Sequence, residues 1–543
     1  MDPHKLCSGK RIPQASIKDN TVNYILHNAY INGQPQAEAV LIVKNSIVHV
    51  GSLSNCRHLA GLAGEEIDLG GKCLMPAFTD AHSHFVEYSK SSILVNLLNC
   101  NSIEDIATEL QRYRAQLSWP AEWILGGGWN RNTLSNPMTL NKTLVDKVFP
   151  DLPVALFSRD YHAKLLNSKA LEIAGWDQHT PDPPGGRFER MPDGSLSGVL
   201  FETATEMIDA YTKDPPNQVM VDSIKDRVQS IYELGLIGFH SMEHQASAQL
   251  LRQAQSQGSL FRTCWHFQAG ELDRMIAQEK KSYDGDEFFK IGGLKLFGDG
   301  SLGSRTAAMY DPYPGDVENR GILRYHDDEL YRLMEKAARA GLACTIHAIG
   351  DRCVRQIIDA TMRLRVEPAY KNLFHRIEHV QSIRLSDIPL LKSSGLFASM
   401  QPVHIANDIP MIHQSWGHIK EEAYAFRSML DAGIPYAFGS DSPIETINPF
   451  LGIYSAIKRR HLNNPRLEAL NPNEGISVEQ AIDGYSIGAA AASRSDMIRG
   501  RIQSGYLADL IVLEDYRKLP AEYWLEARSL FTMIDGEIVL NRL

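Results

Sequence analysis

The chain has 543 residues, 43% of them hydrophobic and 22% charged, with a mean hydropathy of −0.24; it is too long for one ordinary core, and its composition is that of a globular protein with two or three structural units. A formal net charge of −10 without a long basic run argues against nucleic acid as a partner, because phosphate binding needs clustered Lys and Arg. No apolar run reaches the roughly 18 residues of a transmembrane helix, the polar N-terminus shows no signal-peptide core, and seven scattered cysteines without a C-x-x-C pair fit core residues in a reduced, cytoplasmic compartment.

Residues 1–20 read as a flexible polar tail. Hairpin signals follow: Asn32-Gly33 in YILHNAYINGQ, then two short β runs around Lys44-Asn45-Ser46 in AVLIVKNSIVHVG (39–51). The end of the chain has the same texture, with ADLIVLE (508–514) and SLFTMIDGEIVLNRL, where Asp535-Gly536 is the turn. Hairpins this small are unstable alone. Residues 21–75 and 496–543 are therefore expected to pair into one composite β-sandwich domain, with the middle of the chain as an insertion in it.

In that middle, β-like runs alternate with helical stretches. Eight are found: CLMPAFTDAHSH (73–84), LIGFHSME (236–243), FRTCWHFQ (261–268), GGLKLFGD (292–299), LACTIHAIG (342–350), LFHRIEHV (373–380), LFASMQPVH (396–404) and IPYAFGSDSP (434–443). Eight parallel strands with intervening helices predict a (β/α)₈ TIM-type barrel over 76–94 and 221–495. The gap between the first two runs far exceeds the roughly 30–40 residues of one βα unit. Residues 95–220 are read as an inserted α+β subdomain at the barrel mouth; Trp123, Trp129 and Trp176 and ordinary apolar content speak for a folded segment. GGGW (126–129) lacks the Lys-Ser/Thr of a phosphate loop.

Several runs end in polar residues of one kind. The first ends with His82 and His84; the fourth holds Lys295, the fifth His347, the sixth His379 and the eighth Asp441. Positions i and i+2 of a strand share a face, so His82 and His84 can both point inward. The C-terminal ends of barrel strands converge on one mouth. Four imidazoles and a carboxylate facing one cavity would bind a divalent cation, Zn²⁺ in the first place, with Mn²⁺ or Fe²⁺ as alternatives. A lone strand histidine is more often a packed residue, and His240, His266 and His375 are read so. Asp299 is read as a group supporting a ligand from behind, a loop-ordering residue or a turn-former beside Gly298 and Gly300, Asp351 as a loop-ordering residue, and Arg305 as a grip for an anionic or carbonyl oxygen. No Gly-x-Ser-x-Gly elbow is present.

The segments PAFTDAHSHF, GWN, LFSRDYHAKLLNSKAL, KLFGDGSLGSRTA, IHAIGDR, RIEHVQ, SMQPVH, FGSDSP and ADLIVLE span nearly the whole chain. Together they resemble the amidohydrolase superfamily, specifically its YtcJ-like branch (amidohydrolase family 3), which includes N-substituted formamide deformylases. Gly128-Trp129-Asn130 departs from the branch's usual Gly-Trp-Asp. The resemblance implies a barrel beside a small β-sandwich from both chain ends, with a large insertion after the first strand. It implies His82, His84 and Asp441 as ligands of a first metal and His347 and His379 as ligands of a second. Lys295 then corresponds to a bridging carbamylated lysine, a neutral buried amine being able to react with CO₂ to give a two-oxygen anion; the alternatives are a one-metal site or a free lysine.

The expected chemistry is metal-dependent hydrolysis of a non-peptide carbon–nitrogen bond, an amide or N-substituted formamide, with Asp441 as general base. The alternative is a lactone, carbamate or cyclic-amide hydrolase using the same site. Substrate contacts are expected from Trp129, Arg159, His162, Arg305 and His404. The partner is a small molecule, with neither nucleic acid nor membrane, and a homodimer is left open.

Overall fold

The computed structural model describes residues 23–61, 64–134, 136–159, 162–464 and 466–543; the expected tail, 1–20, lies outside the described residues. By internal contacts the chain divides into two compact units, one holding residues 85–227 and the other the residues on either side of them.

Strands from both ends of the chain hydrogen-bond into one seven-stranded sheet. Its order is Glu537–Asn541, Phe531–Ile534, Leu510–Leu513, Gly64–Pro76, Asn23–Ile31, Ala39–Val43, Ser46–Gly51. The turns follow the local sequence. Asp535 and Gly536 both have positive φ (52° and 80°), as a two-residue hairpin matched to strand twist requires. Lys44, at φ 55°, turns the chain between Ala39–Val43 and Ser46–Gly51. Leu26, Val40, Ile42, Leu74, Leu510, Val512 and Phe531 form the core on one face of the sheet.

The second sheet of this unit is the barrel. Its eight parallel strands are β1 (Phe78–Ser83), β2 (Leu236–Ser241), β3 (Arg262–Gln268), β4 (Phe289–Phe297), β5 (Cys344–Ala348), β6 (Arg376–His379), β7 (Phe397–Met400) and β8 (Tyr436–Phe438), each beside the next. Seven of the eight runs contain one of them whole; the fourth, 292–299, overlaps β4, which starts earlier at Phe289. The first run is divided: its residues up to Pro76 belong to the terminal sheet, and β1 begins at Phe78. All residues of β1, β2, β6 and β7 are buried, as strands covered on both faces must be.

Between β8 and β1 the ring is joined by a Ser83–Ser442 bridge. The His84 amide donates to Ser442 O and the Asp441 amide to His82 O, both at 2.7 Å. Gly439 allows this approach, since a Cβ there would lie 2.4 Å from the His82 nitrogen.

Helices cross between the strands. Asp351–Leu364, between β5 and β6, buries Val354, Ile357, Ile358, Thr361 and Leu364, the i, i+3, i+4, i+7 stripe of a core-facing helix. Asp351 in its first turn suits the helix dipole. It also accepts from the Tyr310 amide (2.9 Å) and Arg384 Nε (3.1 Å), so it ties neighbouring loops together.

At the N-terminal end of the barrel strands, Arg262 of β3 meets the terminal sheet. Its Nη2 and Nε lie 2.8 Å from the two oxygens of Asp509, and Arg499 Nε donates to the same carboxylate at 3.0 Å. Burial acts to raise the Asp509 carboxyl, but Arg262 and Arg499 hold it at about 2, below the ordinary 3.8.

The unit of residues 85–227 has its own six-stranded sheet, in the order Gly186–Arg190, Leu196–Glu202, Ala163–Leu166, Val154–Ser158, Ile124–Trp129, Val95–Asn96. GGGW is the strand Ile124–Trp129. Gly126 and Gly127 sit at φ 147° and 154°, where a Cβ would strike the backbone of Val95 and Phe157. Among the described residues no helix is long and apolar enough to cross a membrane.

Candidate metal centre

Strand alternation places His82 on the inner face of β1, and the residue after the strand, His84, follows it. Both Nε2 atoms lie 3.3 Å from Asp441 Oδ1. His347 of β5 and His379 of β6 join them: the His82 and His379 ring centroids are 4.8 Å apart, those of His347 and His379 4.5 Å. Two sets of potential ligand atoms, His82/His84/Asp441 and His379/His404/Asp441, each fall within 4.8 Å and share the carboxylate.

Two of these residues reach the cavity through unusual backbone. Glu378 occupies the inward position of β6, so alternation would turn His379 outward. His379 and Val380 have φ of 73° and 49°, and Asp441 has 61°. A left-handed conformation is costly for side chains of this size, and such strain gathers where a site over-determines it.

The hydrogen bonding leaves nitrogen atoms facing inward. His82 Nδ1 lies 2.5 Å from Glu378 Oε2, which turns Nε2 toward Asp441. His347 Nε2 lies 2.9 Å from Gly300 O. A ligating histidine is ordinarily held in this way, by a carboxylate or carbonyl on its other ring nitrogen. His379 Nδ1, His404 Nε2 and Lys295 Nζ are buried without a hydrogen-bond partner among the described residues. Buried polar atoms in such numbers are costly unless something else engages them. Clustered neutral imidazole nitrogens beside a carboxylate are the donor set of Zn²⁺ and similar cations, so the residues fit the metal that the sequence predicts.

The electrostatics agree. Burial first, then the neighbouring Lys295, lowers His347 to about 3, so its ring is a neutral donor. Burial, then His347 and His82, also lowers His379 well below the usual range. Burial acts to raise Asp441, but the neighbouring imidazoles of His82 and His84 keep it well below 3.8. Lys295, 1% exposed on β4, is brought down to about 8 by burial, against the pull of Glu378 and Asp441. Of the readings open for Asp299, its carboxylate orders the loops, accepting from the amides of Ile349, Gly350 and Ala308 at 2.8–3.0 Å, and its Oδ1 also lies 3.5 Å from His347 Nε2.

The other expected contact residues divide. His404, 7% exposed, lies 3.6 Å from Asp441 Oδ2 and is part of the centre. Arg305 is half-buried in the loop after β4, at φ 54°. Trp129 does not present its ring on a surface of its unit. It is 1% exposed in the core with Ile124, Val154 and Leu156, and its indole N–H donates to Leu156 O at 2.8 Å. An apolar core position that satisfies its one polar atom internally accounts for it. His162 is exposed and pairs with Glu202 at 3.0 Å, and the exposed Arg159 donates its amide to Trp129 O.

Sequence reasoning missed Glu378 and Arg376. The available signal was a charged pair two apart in a strand-like run that leads into a candidate ligand. Deeper in the barrel, His240, Cys264 and His266 form a third set with ligand-like spacing. There Arg376 Nη1 points at His240 Nδ1 (2.7 Å) and His266 Nε2 (3.3 Å), and His266 Nδ1 meets Thr345 Oγ1 at 2.9 Å. These histidines are packed and hydrogen-bonded, as expected.

Comparison with known proteins matches this architecture. A profile of the Amidohydrolase family covers residues 65–540. YtcJ of Bacillus subtilis is 31% identical over 520 residues, 93% of this chain and 96% of that protein. An N-substituted formamide deformylase of Arthrobacter pascens is 26% identical over 539 residues, 93% and 95% of the two chains. The crystal structure of an uncharacterized metal-dependent hydrolase from Pyrococcus furiosus superposes with a TM-score of 0.76 at 25% identity, covering 91% of this chain and 99% of that one. With the profile spanning almost the entire chain and the barrel carrying its polar residues at the strand ends, this protein belongs to the amidohydrolase family.

Proposed function

We propose that the protein hydrolyses a non-peptide carbon–nitrogen bond, in an amide or N-substituted formamide, at the centre around Asp441. The observation that carries the reading is the convergence of His82 and His84 on Asp441 Oδ1, both at 3.3 Å, beside His347, His379 and the unpartnered amine of Lys295. His82, His84 and Asp441 would hold one Zn²⁺ and His347 and His379 a second. Lys295, once its neutral amine has added CO₂ and lost a proton, would bridge them as a carbamate. When bound there, a divalent cation would supply polarisation of a carbonyl and acidification of water.

Asp441 takes the proton of the attacking water while the water oxygen bonds to the carbonyl carbon. It returns that proton to the nitrogen as the carbon–nitrogen bond breaks, leaving an acid and an amine. His404, whose Nε2 has no hydrogen-bond partner among the described residues and lies 3.6 Å from Asp441 Oδ2, would hydrogen-bond the substrate oxygen. The similarity to the Arthrobacter pascens deformylase over nearly the full length favours a formamide over other amides.

The test is metal analysis of purified protein joined to a hydrolysis screen over N-substituted formamides, acyl amines, cyclic amides and lactones. Bound transition metal is expected, with turnover of formamides that a chelator abolishes and Zn²⁺ restores. Undiminished turnover by fully stripped protein would sink the reading; lactones as the best substrates would replace the bond it cleaves.

A further inference from the structure

Arg376 and Glu378 stand two apart on β6, both fully buried. All of the guanidinium nitrogens are engaged. Nε donates to Glu378 Oε1 at 2.9 Å; Nη1 faces His240 Nδ1 at 2.7 Å and His266 Nε2 at 3.3 Å; Nη2 donates to Ala81 O at 2.7 Å and Ser399 Oγ at 3.0 Å. A guanidinium has only donors, in a rigid fork, so each facing atom must accept. One oxygen of Glu378 is thereby fixed as an acceptor beside a permanent cation. The other lies 2.5 Å from His82 Nδ1 and is acceptor-only as well, so the proton between them belongs to His82. The same guanidinium grips the carbonyl of Ala81, the residue before His82, so ring and backbone are set from one point.

We infer that Glu378, oriented by Arg376, is the positioning residue that fixes His82 as the Nδ1–H tautomer and so leaves Nε2 bare for a divalent cation. The inference rests on His82 being a ligand, as proposed above. It follows that the affinity of the centre is set partly from beneath, by a group that never meets substrate.

Glu378→Gln isolates the effect. The two side chains have one shape, but Arg376 would claim the amide oxygen and leave the amide N–H₂ against His82. His82 Nδ1 would then have to accept, moving its proton to Nε2, the atom that should bind metal. Stripped protein titrated with Zn²⁺ against a competing chelator is expected to show about 10–100-fold weaker binding in Glu378→Gln, and Glu378→Asp, which keeps the acceptor, should recover part of it. Equal Zn²⁺ affinity in wild type and Glu378→Gln, or equal loss in both variants, would overturn the inference. Independently of how the variants fold, ¹⁵N-histidine spectra of metal-free wild type, with His82 assigned by difference from His82→Asn, must show the Nδ1–H form; the opposite tautomer overturns it. If wild-type protein takes up no Zn²⁺ at all, the metal reading itself fails, a separate outcome.

Discussion

The barrel contains two layers of histidine, and they have opposite uses. The upper layer, His82, His84, His347, His379 and His404, surrounds the carboxylate of Asp441. The lower layer, His240 and His266 with Cys264, surrounds the guanidinium of Arg376. Residue types and spacing are alike. What differs is the sign of the charge at the centre: an anion leaves imidazole lone pairs available to a cation, whereas a guanidinium already fills that place. Ligand-like spacing alone therefore does not make a metal site, and the charge between the rings decides.

The largest effect is expected where the upper layer is changed at its centre. Asp441→Asn keeps the shape and one oxygen but cannot take a proton. It should retain much of its metal while turnover falls about 10²–10⁴-fold, measured as metal stoichiometry and rate on one preparation. Near-normal turnover would move the proton transfer to another group, with His404 next in place.

Truncation should separate the layers. His266→Ala removes an acceptor of Arg376 and a ring packed over Gly292. It should cost roughly 2–4 kcal/mol of stability, seen as a lower Tm, with metal content unchanged. His347→Ala should do the reverse, losing metal with little change in the Tm of stripped protein. Metal loss in the His266 variant would erase the distinction between the layers.

The smallest effect concerns a third charged cluster, Asp509 between Arg262 and Arg499. Its carboxyl is lowered to about 2 in the folded protein, so its contribution is present above pH 4 and is lost as pH falls toward 2. The shift corresponds to about 2 kcal/mol. Asp509→Asn should be less stable than wild type at pH 7 by about that amount, with the gap closing between pH 4 and pH 2 in parallel urea titrations. A gap that does not change with pH would show that the carboxylate charge is not what the two arginines need.

Much of this was legible in the sequence because it depends on period and order. Apolar runs, the i, i+2 pair of His82 and His84, and polar strand ends in barrel order suffice for the barrel and for the residues round Asp441. Glu378 was not legible because Arg and Glu two apart read as well on a solvated strand as in a barrel interior. The inward turn of His379 depends on positive φ at His379 and Val380, neither of which is glycine or asparagine, so nothing local announces it. Trp129, preceded by three glycines, reads as a contact residue because its segment is inserted directly after the His82/His84 strand. Those glycines instead let the strand pass close to Val95 and Phe157, which buries the ring.

The terminal sheet has a consequence for synthesis. Its central strand, Gly64–Pro76, is flanked on one side by Asn23–Ile31 and on the other by Leu510–Leu513, and Asn45 and Asp535, 490 positions apart, share a hydrogen bond across it. Contacts so distant in sequence form late, after the entropy of closing a very long loop has been met. During translation the first strands leave the ribosome with a bare edge that nothing can cover until nearly the whole chain has followed. The nascent protein carries that exposed edge through most of its own making, so slowing translation between the first strands and Leu510 should lower the yield of soluble protein more than slowing it before Asn23 is made.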